Sequence, residues 1–397
     1  MSSSTVVTAF YQSGGTVVTE DQVFISSETD EYGIYVADGG NLTITDSTVT
    51  KTGDTSNSGN SSSYGLNAGI LAVDAGVISL SDSTVTTSGE GANGIFATGT
   101  GSTISLTDVT IKCTGDFGHG VDVTDGGIMT LENVTISTKG AHSAAIATDT
   151  GGGTVTVNGG TAKTSGYLSP GLYSTGVIKV TGATISATGA EGAAMDGANY
   201  LVLTDTSLTA AKRWGVSLFN TQGDISGAGT FTMTGGDLTA KVGPLFYVTN
   251  AIAEITLNNV TATAKSGTII KAAAGDWGTS GANGGTVTFT ADAQVISGDV
   301  VADAISSVTV ILQNDSTLTG AINNANTAKL IAVKLDATSK WSVTGTSYIS
   351  TLSDADSLLA NIDDNGFTIY YDASLSGNSW LNAATYTLTD GGKLTPQ

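Results

Sequence analysis

The chain has very little of several residues that organise other folds. It contains one cysteine, Cys113, which excludes an intrachain disulfide, and two histidines, His119 and His142, which leave little for a zinc site. It has only three prolines, and 12% of its residues are charged. No run of about 20 apolar residues is present, so the sequence predicts no membrane-spanning helix. Disulfide-stabilised and helical membrane proteins are therefore both disfavoured.

Positive charge is also scarce. The 397 residues carry 35 acidic and 14 basic side chains, a formal net charge of −21. A polyanion of this kind is repelled by nucleic-acid phosphates and by anionic membrane surfaces. Nucleic-acid binding is therefore excluded as a function. A soluble, self-repelling surface or cation binding fits the charge better.

Glycine and apolar residues are abundant in an unusual combination. There are 53 glycines, yet 40% of the residues are hydrophobic. Disordered chains lack that apolar content and are richer in charge. Val, Ile, Leu and Thr recur at short, regular intervals, which predicts a core buried in thin slices along the chain.

An internal repeat dominates the sequence. An apolar residue is followed by one spacer, then Asp, Asn or Gly, two more spacers and another apolar residue. Clear copies lie at 44–49, 80–85, 106–111 and 131–136, and others contain Gly159, Gly182, Asp205, Gly235 and Asn259. The period of roughly 23–26 residues is typical of solenoids. Asp, Asn and Gly tolerate the left-handed backbone conformation that a sharp corner requires.

A second repeated segment precedes the first and supplies a third strand. It lies at 33–40 and returns at 69–76, 120–127 and, more loosely, 144–151. Three short strands in each coil predict an all-β, right-handed parallel β-helix of about 13 rungs. The stacked apolar positions would include Ile44, Leu80, Leu106 and Leu131. An antiparallel sandwich is disfavoured because hairpins prefer two-residue Asn-Gly or Asp-Gly turns.

The ends of the repeat suggest three regions. We expect residues 1–32 to form an N-terminal cap and first coil, 33–345 the β-helix, and 346–397 the last coils and a C-terminal cap. A short helix is predicted around residues 353–362. No signal peptide is visible at the start. We interpret Met1 as an added start before an exported sequence, and expect an extracellular or cell-surface location.

Two stretches of the chain carry a family resemblance. The coils from Gly33 to about Ile185 resemble bacterial surface adhesins, autotransporter passengers and the wider pectin-lyase-like β-helices. Residues 276–285, 298–301 and 340–345 resemble the C-terminal part of secreted β-helix proteins of gut and environmental bacteria, which are typically described as adhesin-like or carbohydrate-binding. The resemblance implies an adhesin-like or structural surface protein that contacts glycans through loops and polar faces.

Aromatic residues are the candidate ligand-binding groups because their faces suit the C–H surfaces of sugars. We select Trp277, Trp214, Arg213, Tyr173 and Tyr200, and note Tyr247 beside them. Trp277 lies in a Gly-rich insertion, where loops on a rigid scaffold often carry function. The alternative is that Trp277 folds back over the coils as a lid.

No catalytic residue is assigned, and enzymatic activity is not the first expectation. Acidic pairs on adjacent rungs can arise almost anywhere in such a repeat. The alternative function is a polysaccharide lyase or a glycoside hydrolase. A lyase would use the single arginine, Arg213, as its base, and an inverting hydrolase would need two carboxylates about 6.5–9.5 Å apart.

No cofactor is assigned, but calcium is an open alternative at the acidic corners. Asp38, Asp74, Asp125 and Asp149 are predicted at equivalent positions, where stacked carboxylates would attract Ca²⁺. Asp is equally a standard corner residue on hydrogen-bonding grounds.

Zinc is weaker still. Cys113, His119 and His142 on neighbouring rungs, with Asp122 close by, lack the ligand spacing of zinc sites. Cys113 is better explained as a small buried residue.

Repeated outward Thr-x-Thr pairs raise a last alternative, an ice-binding surface. The predicted file contains Thr43/Thr45, Ser79/Ser81, Ser105/Thr107, Thr154/Thr156 and Thr232/Thr234. Glu132 and Lys179 interrupt it, and Thr is a good exposed strand residue in any case. The sequence leaves the ligand, the anchoring and the oligomeric state open.

Overall fold

The computed structural model describes residues 6–221, 223 and 227–397. This part of the chain is 51% strand and 3% helix and forms a parallel β-solenoid of about 15 turns, slightly more than predicted. The fold class is therefore confirmed. Our interpretation of Met1 lies outside the described residues. The chain divides into two compact units, residues 1–194 with 199–212, and residues 195–198 with 213–397.

Each regular coil has three strands, which lie on three faces that we call A, B and C. In the second coil these strands are Tyr32–Ala37, Asn41–Thr45 and Thr48–Lys51, in that order. Along each strand, apolar side chains alternate with hydroxyl or charged ones, so one set faces inward and the other outward. Strands of successive coils pair in parallel.

In the first unit, the three faces contain the following strands. Face A consists of Thr8–Ser13, Tyr32–Ala37, Ile70–Ala72, Ile95–Thr98, Val121–Thr124, Ile146–Thr148 and Leu172–Ser174. Face B consists of Thr16–Glu20, Asn41–Thr45, Val77–Ser81, Thr103–Thr107, Gly127–Glu132, Gly153–Asn158, Val177–Thr181 and Tyr200–Thr204. Face C consists of Val23–Ser26, Thr48–Lys51, Thr84–Thr87, Thr110–Cys113, Thr135–Thr138, Thr161–Thr164, Thr184–Ala187 and Ser207–Ala210.

In the second unit, the same three faces recur, and the first four face B strands are longer than those of the first unit. Face A consists of Val216–Phe219, Phe246–Val248, Thr268–Ala272 and Asp299–Ala302. Another face A strand, Ala193–Asp196, crosses the division between the units. Face B consists of Ala228–Thr234, Ala251–Asn258, Gly285–Asp292, Ser307–Gln313, Leu330–Leu335 and Thr351–Asp354. Face C consists of Asp237–Ala240 and Thr261–Ala264.

Two small sheets complete the second unit. One consists of Val295–Ser297, Thr317–Thr319, Lys340–Ser342 and Ile362–Asp363. The other consists of Ser347–Ile349, Thr368–Tyr371, Lys393–Pro396 and Tyr386–Thr387. Tyr386–Thr387 pairs antiparallel with Lys393–Pro396, whereas the strands of the regular coils are parallel. The parallel pairing excludes the antiparallel sandwich.

The core column predicted from the repeat is confirmed. Ile44 aligns with Leu80, Leu80 with Leu106, and Leu106 with Leu131. These side chains are at most 1% exposed. The burial of such side chains in every coil stabilises the solenoid, at roughly 25 cal/mol for each Å² of apolar surface removed from water.

The corners follow the predicted backbone chemistry. Asp46, Asp82 and Asp108 have φ values of 50°, 49° and 53°, in the left-handed region. The corner is also tied between coils, because the backbone N–H of Ser47 donates to Oγ of Ser83 at 3.0 Å. A short polar side chain at this corner stabilises a conformation that most residues avoid.

One predicted element is wrong. Residues 353–362 do not form a helix, because Thr351–Asp354 and Ile362–Asp363 are strands and the residues between them form turns. Oδ1 of Asp354 accepts from the backbone N–H of Asp356, and the Asp356 carboxylate accepts from Leu358 and Ala360. Asp side chains therefore satisfy the backbone locally and compete with helix formation.

Helices occur at two other places, the α-helix Ser58–Tyr64 and the 3₁₀-helix Ser376–Leu381. The α-helix starts at Asn57, whose side chain accepts from the backbone N–H of Asn60, and ends at the left-handed Gly65. These are standard N-terminal and C-terminal capping residues. Within the described ranges, neither helix has the length and apolar character needed to cross a membrane.

Candidate functional site

An outward-facing column on face A of the first unit contains a buried carboxylate. In consecutive coils the column consists of Tyr11, Tyr35, Leu71, Phe96, Asp122, Ala147 and Tyr173. Asp122 thus stands between Phe96 and Ala147, yet its side chain is 0% exposed. Asp is almost never fully buried without a partner, so this position departs from the pattern of the column.

The α-helix Ser58–Tyr64 explains part of this burial. The excursion that contains it leaves face C after Lys51 and returns at Ile70 on face A. A Cβ atom on Gly65 would lie 2.7 Å from the Phe96 ring, so the end of the helix packs directly on the column. Farther along face A, the hydroxyl groups of Ser63 and Thr150 are hydrogen-bonded at 3.0 Å. The excursion therefore covers the outer side of face A around Asp122.

Asp122 forms a cluster with His119 and Asp149. One ligand-type atom from each side chain lies within 4.8 Å of the other two. Asp122 aligns with Ala147 in the next coil, so Asp149 lies two residues farther on the same side of the sheet. His119 comes from the turn that precedes the Asp122 strand. The register between two coils therefore brings the three side chains together.

The hydrogen bonding of His119 fixes its protonation. Nδ1 accepts from the backbone N–H of Ala144 at 3.0 Å, so the neutral ring carries its proton on Nε2. Burial lowers the pKa of His119 to about 4. His119 is therefore neutral at neutral pH and offers the cluster an N–H donor, with no free lone pair for a metal ion.

Asp122 is only half satisfied. Its Oδ1 accepts from the backbone N–H of Val123 at 2.8 Å, but its buried Oδ2 has no hydrogen-bond partner. Burial raises the pKa of Asp122 well above its ordinary value, and the negative charge of Asp149 acts in the same direction. A carboxylate in this environment is strained electrostatically unless a proton or a cation neutralises it.

A recess of about 260 Å³ opens above this cluster. His119 and Asp149 lie in its wall, together with Phe117, His142 and Tyr173. The rings of Phe117 and His142 are nearly parallel, with centroids 5.0 Å apart and an interplanar angle of 2°. The recess thus combines flat aromatic surfaces with a carboxylate and an N–H donor.

The structure divides the residues that were considered, and disfavoured, as a zinc cluster. His119 and Asp122 do lie together, and His142 contributes to the wall of the same recess. Cys113 is instead buried in the core, where its Sγ contacts the carbonyl oxygen of His119 at 3.4 Å. Burial raises the pKa of Cys113 to about 11, which keeps it a thiol. This agrees with the interpretation of Cys113 as a small buried residue.

The four predicted calcium corners are not equivalent. Asp38 and Asp74 lie in adjacent coils, and both have positive φ. Asp125 also has positive φ, but the coil between it and Asp74 has Gly99 at this corner. Asp149 lacks the positive φ of the other three, and the backbone N–H of Asp125 donates to the carbonyl oxygen of Thr150, beyond Asp149. The predicted equivalence of Asp149 is therefore wrong, and Asp149 belongs to the recess.

The other predicted ligand-binding residues lie apart from the recess. Tyr200 is 52% exposed at the start of its face B strand. In the second unit, Trp214 stacks on Tyr247 with centroids 4.2 Å apart, and the Arg213 guanidinium lies 4.5 Å from the Trp214 ring centroid. Trp277 is 47% exposed and stacks on Phe219 at 6.2 Å.

The hydroxyl rows also differ from the prediction. On face B, Thr154 aligns with Ile128, so the residue that continues the Thr43 row is Thr156, reached through Thr130. Lys179 then interrupts that row. The longer row is on face C and contains Thr48, Thr84, Thr110, Thr135, Thr161, Thr184 and Ser207.

Sequence reasoning separated two residues that the fold joins. It placed Asp122 with the histidines and Asp149 with the corner acids. The signal that could have joined them was the outward column, in which Asp122 replaces an apolar or aromatic residue between two neighbouring coils. This column can be recognised only when the alignment of the face A strands is known. The excursion before Ile70 obscures that alignment in the sequence.

Comparison of the chain with protein-family models, with curated proteins and with solved structures finds no match.

Proposed function

We propose that this chain is an extracellular surface protein that binds glycans through the recess on face A of its first unit. The observation that carries the proposal is that aromatic and polar side chains line the recess together. Small-molecule sites are typically concave and largely apolar, with a few fixed polar groups. Phe117, His142 and Tyr173 would contact sugar C–H surfaces, while Asp149 would accept hydrogen bonds from sugar hydroxyls.

The volume of the recess and the net charge of the chain limit the class of ligand that can bind. A recess of about 260 Å³ lies just below the roughly 300–1,000 Å³ of sites for drug-sized ligands, so it fits one unit of a longer chain. The net charge of −21 disfavours a polyanionic polymer. Weak contacts on many copies of such a protein would add up through multivalency. A neutral glycan bound unit by unit is the ligand that we propose.

A glycan array followed by calorimetry tests this function. We expect binding of at least one neutral glycan, and a loss of at least about tenfold in affinity for Tyr173→Ala, because an aromatic wall would be removed. Tyr200→Ala is the matched control, since Tyr200 is an exposed tyrosine on face B of the same unit. The proposal fails if no glycan binds, or if the control loses affinity as strongly as Tyr173→Ala.

Glycoside hydrolysis is the second candidate, and the Asp122–Asp149 pair favours it. One oxygen of each lies within 4.8 Å of the other, which disfavours the roughly 6.5–9.5 Å separation of inverting glycosidases and leaves the shorter separation of retaining enzymes. The acid of such a pair has a raised pKa, as Asp122 has. Release of reducing ends from a bound glycan, lost in Asp149→Asn, would favour this candidate. Asp122 is fully buried and does not line the recess, which is why binding is preferred.

Ice binding remains a third candidate because of the face C hydroxyl row. A thermal-hysteresis assay tests it directly. Thr135→Tyr would disrupt the centre of that row, and Thr130→Tyr on face B is the control. Equal activity of both variants would remove the assignment to face C.

A further inference from the structure

We propose that Asp122 and Asp149 bind one Ca²⁺ ion, with His119 donating a hydrogen bond to a ligating carboxylate. In this arrangement hydroxyl groups of a glycan in the recess complete the coordination. The inference about the glycan rests on the proposed function, whereas the ion site itself stands on the cluster. Four features of the cluster support it.

The first is the unsatisfied oxygen. Oδ2 of Asp122 is buried without a partner, although it belongs to a carboxyl group within reach of two other polar side chains. The pKa of this carboxyl is raised by burial and by the charge of Asp149 and is lowered by the hydrogen bond from the N–H of Val123. None of these influences comes from a cation. An uncompensated buried carboxylate is costly, so a positive species between the two acids would relieve the cluster.

The second is distance. Calcium–oxygen bonds are about 2.3–2.6 Å long, so two oxygens on opposite sides of one ion are about 4.6–5.2 Å apart. The cluster atoms lie within 4.8 Å of one another. An oxygen of Asp122 and an oxygen of Asp149 are therefore within the span that a single Ca²⁺ ion bridges.

The third is the chemistry of the donors. Nδ1 of His119 is taken by the N–H of Ala144, and the remaining nitrogen carries the proton. His119 therefore cannot offer the lone pair that zinc, copper or nickel would prefer. Carboxylate oxygens remain, and they suit a hard cation. His119 then donates its N–H to a ligating carboxylate and so orients that carboxylate.

The fourth is access. Asp149 lines the recess, so an ion held by Asp149 faces the space where a ligand enters. Two carboxylates supply too few oxygens for the six to eight ligands of Ca²⁺, which leaves places for water or vicinal hydroxyls. Mg²⁺ fits this site less well than Ca²⁺ because Mg²⁺ retains its waters, whereas Asp122 is fully buried and does not line the recess. With two acidic ligands, an affinity of about 10⁻⁴–10⁻³ M, typical of extracellular modules, is expected.

The experiment is a calcium titration of the full chain after EDTA treatment and dialysis. We expect the melting temperature to rise by about 2–4 °C when CaCl₂ reaches several times the dissociation constant. Asp149→Asn and Asp122→Asn should each abolish the rise. Asp125→Asn is the matched control, because Asp125 is an acid of the same coil outside the cluster, and it should retain the rise.

The outcomes separate this inference from the proposed function. If a shared proton alone neutralises the pair, calcium leaves the melting temperature unchanged in the parent chain, and the ion site is overturned. If Asp125→Asn removes the rise, the ion lies at the corners and the assignment is also overturned. Glycan binding that survives EDTA overturns coordination by glycan hydroxyls but leaves glycan binding intact. A calcium response without any glycan binding supports the ion site while the proposed function fails.

Discussion

The charged side chains of face A lie in different surroundings in the two units. In the first unit, Asp122 is a buried acid with an unsatisfied oxygen. In the second unit, the outward column contains Ser217, Tyr247, Lys271 and Val301. The Lys271 ammonium of this column is 5.8 Å from the Tyr247 ring centroid, and Arg213, in the bend before Val216–Phe219, lies over the Trp214 ring.

The difference indicates which surface is prepared for a ligand. The rings and cations of the second-unit stack have satisfied much of their interaction potential on one another, as the Phe117–His142 pair of the recess also has, so the difference lies in the acids. A buried carboxylate with one free oxygen has not satisfied its own. We therefore read the second-unit stack as structural and the first-unit cluster as a binding site, although both occupy outward positions on similar coils.

Among the variants that test this comparison, removal of the Trp214 ring should change the free energy of unfolding most. Trp214→Ala deletes a half-buried ring that stacks on Tyr247, and we expect the free energy of unfolding of the second unit to fall by about 3 kcal/mol. All four tryptophans lie in the second unit, so urea denaturation followed by tryptophan fluorescence reports this unit. Trp277→Ala, which removes a more exposed ring, should cost about 1 kcal/mol. Equal losses would refute a structural stack around Trp214.

Replacing the buried acid should have the opposite sign. In EDTA, Asp122→Leu restores the apolar character of the column between Phe96 and Ala147, and we expect the first unit to gain about 2 kcal/mol. The same variant should lose glycan binding. Urea denaturation followed by far-ultraviolet circular dichroism measures the gain. Asp122→Asn, which keeps a polar group buried, should gain less. A loss of stability in Asp122→Leu would show that the carboxylate already has a compensating partner.

Alkaline pH should distinguish the tyrosine of the stack from the acid of the recess. Burial raises the pKa of Tyr247 above the ordinary 10.0, and nearby Asp276 and Asp303 add to this increase, whereas Thr249 and Arg213 oppose it. The contribution of Tyr247 to stability is therefore complete below pH 10 and is lost as the pH rises through its folded-state pKa. In Tyr247→Phe this loss should disappear, which fluorescence-detected urea denaturation at several alkaline pH values can measure. Parallel pH profiles of the parent and variant would contradict the assignment.

The cation over Trp214 should contribute least. Arg213→Gln removes the guanidinium and should lower the free energy of unfolding of the second unit by about 0.5–1 kcal/mol. Arg213→Lys keeps a cation and should lose less. The same denaturation assay measures both. A larger loss for Lys than for Gln would exclude a cation–π contribution.

The fold was predictable because the same local sequence pattern recurs in nearly every coil. The alternation around Ile44 and the left-handed Asp46 corner recur in nearly every coil, so they define three faces without further information. The recess was only partly predictable. Asp122 and Asp149 meet through face A register, and the capping signals at Asn57 and Gly65 surround a Ser-rich helix of weak intrinsic propensity. Long-range alignment, which no local pattern encodes, decides the site.

The excursion between Lys51 and Ile70 leaves the solenoid at one corner and returns at that corner. The strands on either side keep their ordinary partners, since Val49 aligns with Val85 and Ile34 with Ile70. Its exposed positions can therefore change without altering the coils beneath, whereas Ser61 is buried and hydrogen-bonded to Gly91 and Asn93 of the coils. A library confined to Ser62, which lines the recess, and the exposed Tyr64 would remodel the cover of the recess while the face A strands stayed fixed, so this one segment offers a direct route to new ligand preferences on an unchanged scaffold.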